Sequence, residues 1–284
     1  VAGGHEDGIK TVEDYPDCVL KKLCENEVEA LGELMTTSLR TFCPRYHGIQ
    51  SVDNEQFMVM QNLLYEMESP HVMDIKMGQR TFEEKEVTND KKRMDLLQKM
   101  VKADPNEATE EEKENGITKL RYMQFREKES SSLELGFRVE AMHHPDNEGL
   151  CLTKEEAKHL RSRDQVKDVF AKYLQDRKDV WKALLRRLTH LRKKLQQSRW
   201  FKNHELVGSS ILFVFDMSCD EKTVKDKSGV WMIDFAHVHK AKEELTHRAA
   251  WVAGNQEDGY LVGLDNMISI WQSLFDDEVE IEIK

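Results

Sequence analysis

The chain has 284 residues, 39% of them hydrophobic and 33% charged, with a formal net charge of -11. That is enough apolar mass for one large domain or two lobes around a cleft, and the acidic balance excludes broad binding to a nucleic-acid backbone, which needs a net basic face. No run reaches the ~18 apolar residues of a membrane span, and VAGGHEDGIK lacks the charged and apolar regions of a signal peptide, so a soluble protein is expected.

Because the chain starts at Val1 rather than Met, it is expected to be a fragment lacking a regulatory segment. The cysteines, Cys18, Cys24, Cys43, Cys151 and Cys219, are odd in number and show no CxxC pair, as expected of reduced thiols in a cytosolic or nuclear compartment, of which a cytoplasmic location is the expectation. A small polyanion can still bind, provided a local basic pocket overrides the global field.

In chain order, residues 1–67 read as a small β-rich lobe. AGGHEDG is a glycine-punctuated turn with no P-loop or full GxGxxG. Cys18 to Leu23 is a short strand carrying Lys21, and Glu25 to Arg40 has helical spacing through Val28, Leu31, Leu34 and Met35. Gln56 to Leu64 is an apolar run of strand length. Residues 68–284 then form the larger part, interrupted by a charge-rich helical insertion at 85–130. In that insertion Met94, Leu97, Met100 and Val101 share one face, with Lys91, Lys92, Arg93, Lys99 and Lys102 around it.

Asp164 to Phe201 repeats apolar residues near period 3.6, marking a long amphipathic helix or a helix pair. SSILFVFD and GVWMIDF are continuous apolar runs around a polar loop, Ser218 to Ser228, and read as a hairpin buried on both sides. A last helix is expected over Leu261 to Phe275, before a loosely held acidic tail from Asp276 to Lys284.

Two motifs carry chemistry. In PHVMDIKMGQRT, Asp74 and Lys76 are two apart, so an extended segment points both to one face, and Gly78 permits a sharp turn directly after. In VWMIDF, Asp234 ends an otherwise apolar strand, where a carboxylate costs stability unless it is paired or binds a metal. The usual alternative for such an aspartate is a turn or helix cap, and for Lys21 an exposed strand lysine. The histidines lack carboxylate or cysteine partners at zinc-ligand spacing.

The order of PHVMDIKMGQRT, RYMQFREKESSSLELGFRVEA, VGSSILFVFD, MIDF and GNQEDGYLVGLDNMISI resembles the inositol 1,4,5-trisphosphate 3-kinases, a branch of the inositol polyphosphate kinase family, nearly end to end. The resemblance implies an α+β, two-lobed protein-kinase-like fold with a helical substrate-binding insertion, and ATP in the cleft. By the same resemblance, Lys21 would contact the phosphates, and Gln61, Asn62 and Leu63 would form the hinge facing adenine. Asp74 would sit in the nucleotide site, on the ribose side. Lys76 would lie between the γ-phosphate and the accepting hydroxyl, and Asp234 would hold Mg2+ with Ser210 beside it. Arg93, Lys119, Tyr122, Arg126 and His237 would contact the inositol phosphate. The activity implied is ATP-dependent phosphorylation of inositol 1,4,5-trisphosphate at the 3-hydroxyl, a step in calcium signalling.

Three departures bear on substrate choice: Ala236 and His237 follow Asp234 where these enzymes have Gly-Lys, His143 stands for a lysine, and Gly8 stands for a serine. Phe-Ala-His is the multikinase version, so a multikinase of broader acceptor range is the alternative enzyme, although the long segment from Thr81 to Glu134 and RYMQFRE favour the 3-kinase. The alternative from another class is a calcium-responsive inositol-phosphate-binding module docking calmodulin through Lys91 to Lys102, Trp181 to Trp200, or mainly a missing N-terminal segment.

Overall fold

The computed structural model describes residues 9–11 and 15–278, with the side chains of 276–278 left aside. The AGGHEDG turn with Gly8, and the end of the acidic tail, lie outside the described residues.

Strands β1 (Ile9–Thr11) and β2 (Cys18–Lys22) precede helix α1 (Glu25–Met35), and β3 (Tyr46–Val52) and β4 (Glu55–Gln61) complete an antiparallel sheet of order β1-β2-β4-β3. Helix α1 stops five residues before the expected end at Arg40, because the Thr36 and Thr37 hydroxyls donate to the Glu33 and Leu34 carbonyls and compete with the helical ladder. A 3-10 turn over Ser38–Phe42 follows. Strand β3 was not expected from its polar sequence; Asp53 and Asn54, both at positive φ, make the two-residue turn that pairs it with β4.

Strand β5 (Pro70–Met77) is central in a second antiparallel sheet. Between it and β6 lie α2 (Met94–Ala103), α3 (Glu110–Asn115), α4 (Lys119–Lys128) and α5 (Ser132–Leu135). The insertion is helical, as expected, and Leu96, Leu97, Met100, Ala108, Ile117 and Phe125 give it a small core of its own. Met94 is an exception to the expected face: it opens α2 and is 47% exposed, while Leu96 takes the buried position.

Beyond the insertion come β6 (Phe137–His143), α6 (Lys154–Ala157), α7 (Arg163–Leu174), α8 (Lys178–Gln197) and α9 (Arg199–Lys202). Of the two expected forms, one long helix or a helix pair, the pair α7 and α8 is found, broken at Gln175 and Asp176, both left-handed. Strands β7 (His204–Leu206), β8 (Ser210–Asp216), β9 (Ser228–Ile233) and β10 (Val238–Lys240), with helix α10 (Tyr260–Gln272), complete the order. The expected hairpin is β8 and β9, and the second sheet runs β6-β5-β8-β9. Helix α8 buries Trp181, Leu184, Leu185, Leu188, Leu191 and Leu195 against β9 and α10, each worth roughly 1.5–3 kcal/mol of transfer free energy. Strands β7 and β10 form a separate pair.

One continuous core joins Leu31, Leu34, Met58 and Met60 of the first sheet and its helix to Ile75, Phe213 and Trp271 beneath the second.

Candidate functional site

The site is built on β5, whose side chains alternate between faces. Lys76 lies opposite Ser210 of β8 and Arg138 of β6, and Asp74 lies opposite Leu212 and Ala141. Strand β6 is bulged here: Ala141 pairs with Asp74 and Val139 with Ile75, leaving Glu140 as the extra residue. A bulge of this kind re-aims side chains, and Arg138 Nε donates to Glu140 Oε1 at 2.7 Å.

Asp234 follows the last residue of β9 and holds φ at 62°, a left-handed conformation that aspartate tolerates better than most residues. Lys21 Nζ, from β2, donates to Asp234 Oδ1 at 2.7 Å and to Glu27 Oε1 of α1 at 2.8 Å. The Phe235 N–H donates to the same Glu27 oxygen at 3.2 Å. Through Lys21 and Glu27 the first sheet and its helix are therefore joined to the end of β9.

Electrostatics tie the cluster together. Burial pushes the Asp74 carboxyl up to about 7, the Asp234 charge adds to the rise, and the Ser210 hydroxyl opposes it. Burial lowers Lys76, and Arg138 lowers it further, against Glu140, Asp74 and Asp234. For Lys21 burial works downward, but Asp234 and Glu27 outweigh it and the ammonium is favoured. Five of the expected residues, Lys21, Asp74, Lys76, Ser210 and Asp234, thus meet in one place.

At the expected hinge, the Gln61 and Asn62 N–H groups donate to the Arg45 and Asp17 carbonyls at 2.8 and 2.7 Å. The Asn62 side chain closes its own loop, donating to Pro16 O and accepting from the Leu64 N–H. Among the described residues the Leu63 N–H makes no hydrogen bond.

Of the expected substrate contacts, Arg93, Lys119, Tyr122 and Arg126 come from the insertion, and His237 follows Asp234. Arg93 is held bidentately by Asp95 at 2.7 and 2.6 Å. Lys119 donates to Glu86 at 2.7 Å, and Tyr122 packs on the insertion core. Arg126 reaches back toward β6, where its charge favours ionised Glu140. His237 Nδ1 stands 3.4 Å from Glu83, which also accepts from His239 and Lys85 at 2.8 Å. Burial works against ionised Glu83, but Lys85 and His239 prevail and hold it at about 2.

Sequence reasoning missed Glu27, Arg138, Glu140 and Glu83. Glu27 had a signal: it sits at i to Leu31 and Leu34 on the apolar stripe of α1, and is 1% exposed, a position a carboxylate takes only when paired. Arg138 and Glu140 had none, because their meeting with Lys76 depends on strand pairing and a bulge. The NQEDGY segment proves architectural: buried Asp258 holds His247 at 2.9 Å, and its carbonyl accepts from Gln79 N at 2.8 Å, directly after Gly78.

A divalent metal fits this site. Asp74 Oδ1 is buried without a hydrogen-bond partner, and a second carboxylate, Asp234, stands close enough to raise its pKa. Among the described residues no group of three or more metal-ligating side chains exists, so one or two carboxylates would share the ion with phosphate oxygens and water, as is usual for Mg2+.

A family model described as inositol polyphosphate kinase matches residues 57–272. The chain is 42% identical over 263 residues to human inositol-trisphosphate 3-kinase A, covering 90% of this chain and 55% of that protein. It is 41% identical over 281 residues to the inositol-trisphosphate 3-kinase homolog of Caenorhabditis elegans, covering 95% and 54%. The chain therefore spans about half the length of these curated relatives. The crystal structure of the S. cerevisiae inositol phosphate multikinase, solved with ADP and Mn2+, shares the fold at a TM-score of 0.61 and 19% identity, covering 91% of this chain and 99% of that one. With the family model spanning most of the chain and the same fold in a solved multikinase, this chain belongs to the inositol polyphosphate kinase family.

Proposed function

We propose that the chain transfers the γ-phosphoryl group of ATP to the 3-hydroxyl of inositol 1,4,5-trisphosphate, giving inositol 1,3,4,5-tetrakisphosphate. The observation that carries this reading is the meeting of Lys21, Asp74, Lys76 and Asp234 in one partly buried cluster, in a chain about 40% identical to proteins named as trisphosphate 3-kinases. Phosphoryl transfer asks little covalent chemistry of a protein. It asks for a held triphosphate and for cations placed where charge develops.

In this reading residues 1–67 and 68–284 are the two lobes, with the 85–130 insertion covering the acceptor. Lys21 holds ATP phosphates, and Glu27 keeps it in place. The free Leu63 N–H suits an adenine acceptor at the Gln61–Leu63 hinge. Asp234, with Ser210 and Asp74, would hold Mg2+, which neutralises triphosphate oxygens when bound. Lys76, walled by Arg138, stands where the phosphoryl group passes. With a loose transition state the hydroxyl proton leaves late, and positioned charge carries most of the acceleration.

Arg93, Lys119, Tyr122, Arg126 and His237 would face the acceptor's phosphates. The Arg93–Asp95 pair is exposed on both sides, so exchanging its carboxylate for phosphate costs little; Lys119 is exposed but its partner Glu86 is buried, so Lys119 would bridge the two or leave Glu86 to Asn89 at a higher cost. A cytoplasmic location accords with five free cysteines; among the described residues no helix is long and apolar enough to cross a membrane. The calmodulin-binding alternative is weakened within this chain, since α2 and α8 both bury their apolar faces.

The test is an assay of the purified chain with labelled ATP, Mg2+ and a panel of inositol phosphates, with the product isomers resolved. Conversion confined to inositol 1,4,5-trisphosphate supports the reading. Comparable turnover of other inositol phosphates would replace it with a multikinase, the outcome Ala236 and His237 favour, and no turnover would overturn it.

A further inference from the structure

Beside Lys76, a cavity of about 190 Å³ opens between α4, β6 and α6, lined by four cations, Arg126, Arg138, Lys154 and Lys158, and two carboxylates, Glu140 and Glu155. It is smaller than the roughly 300 Å³ at which whole small-molecule sites begin. It has room for one substituent of a ligand rather than the ligand itself.

The charges inside are unequally satisfied. Arg138 is paired with Glu140 at 2.7 Å, and Lys158 is paired with Glu155. Arg126 and Lys154 make no hydrogen bond or ion pair with any described residue. Four cations thus face two carboxylates in the same small space, and the two that no hydrogen bond or ion pair ties down, Arg126 from the insertion and Lys154 from α6, leave it an excess of positive charge. That is the complement of a phosphate monoester, which carries close to two negative charges at neutral pH. Arg138 links this space to the reacting centre, since it is the residue opposite Lys76 and the largest charge effect on it after burial.

We infer that this cavity is a subsite for one phosphate of the acceptor remote from the reacting hydroxyl, and that Lys154 of α6, outside the insertion, is a specificity-determining residue gripping that phosphate together with Arg126. The inference rests on the proposed inositol-phosphate chemistry of the site. Lys154 is exposed, so its contribution is that of a partly screened charge, about five- to tenfold in affinity rather than the hundredfold of a buried pair.

The experiment measures two things on the same proteins: direct binding of inositol 1,4,5-trisphosphate by calorimetry without ATP, and steady-state turnover. Lys154→Ala should weaken binding about five- to tenfold and raise KM for the trisphosphate equally, leaving kcat and KM for ATP unchanged, with Lys154→Arg restoring both. Against a set of inositol bisphosphates, the loss should vanish for the one lacking the phosphate this cavity holds. Unchanged binding in Lys154→Ala, or an equal loss with every bisphosphate, would overturn the subsite. Wild-type binding that depends on Lys154 but gives no turnover would sink the kinase reading while leaving the subsite, and no wild-type binding would sink both.

Discussion

Lys76 and Asp234 each sit where their charge is costly unless used. Lys76 is enclosed by Arg138, Glu140, Asp74 and Asp234, and Asp234 adopts a left-handed backbone while facing Lys21. In the proposed reaction both act on charge that develops on the transferring group, so removing either should act on kcat. Lys76→Ala or Asp234→Asn is expected to lower turnover on the order of 10²- to 10³-fold, about 3 to 4 kcal/mol, with an unchanged circular dichroism spectrum. Both residues were legible from PHVMDIKMGQRT and VWMIDF. Arg138 was not, because strand register brings it beside Lys76; Glu27, which shares Lys21 with Asp234, left only the sign of a carboxylate on the apolar stripe of α1.

Among the elements, α10 is tied to the turn after β5 by glycines that meet. A Cβ added to Gly263 would lie 2.1 Å from the Gly136 carbonyl oxygen, and that carbonyl also accepts from the Gly78 N–H at 2.8 Å. Backbone cannot move aside as a flexible side chain can, so Gly263→Ala should destabilise by about 1–3 kcal/mol, measured as a lower urea midpoint with an unchanged m-value.

At the opposite end of β5 and β6, the His71 and His144 rings stand 4.2 Å apart. His144 Nε2 is buried with no partner, and Gln175 reaches its Nδ1 at 3.2 Å. Burial, then the neighbouring His71 and His143, lower His144 to about 4. Burial also lowers His71, aided by His143 and Arg177 and opposed by Asp146 and Asp216. On acidification the unfolded chain takes up its His144 proton near 6.5 while the folded chain resists until about 4, so stability should fall as pH drops through that window. Denaturant titrations at pH 7.5 and 5 are expected to differ by on the order of 2 kcal/mol from this group, and His144→Gln should shrink the difference.

Across the whole molecule, stability is unevenly distributed. The insertion rests on six buried side chains of its own, while the main core runs through both sheets and α7, α8 and α10. Polar bonds tie it to its surroundings: buried Glu127 accepts from the Thr81 N–H and hydroxyl, and Glu129 accepts from Arg161, while the segment leading into it is pinned by Glu83 to His239 and Glu84 to the Trp251 indole. A unit with so little apolar burial opens at a lower free energy than the core. Amide exchange over 94–128 should therefore be at least about tenfold faster than in β5 and β8, and inositol 1,4,5-trisphosphate should slow it selectively. Uniform protection across the chain would contradict this picture.

Periodicity and motif wording were enough to determine the β5 signature strand, the β8–β9 hairpin, the helical character of the insertion and the family, since each depends on residues adjacent in the chain. The Asp74 and Lys76 pairing on one face follows from the two-residue repeat of a strand alone. Only the tertiary structure decided that Lys21 meets Asp234 from the other sheet, that a bulge at Glu140 sets Arg138 beside Lys76, and that the Asp258 segment clamps the turn after β5. The physical reason is range: local patterns fix which face a side chain leaves from, whereas charges buried together are brought within reach by contacts between elements far apart in sequence.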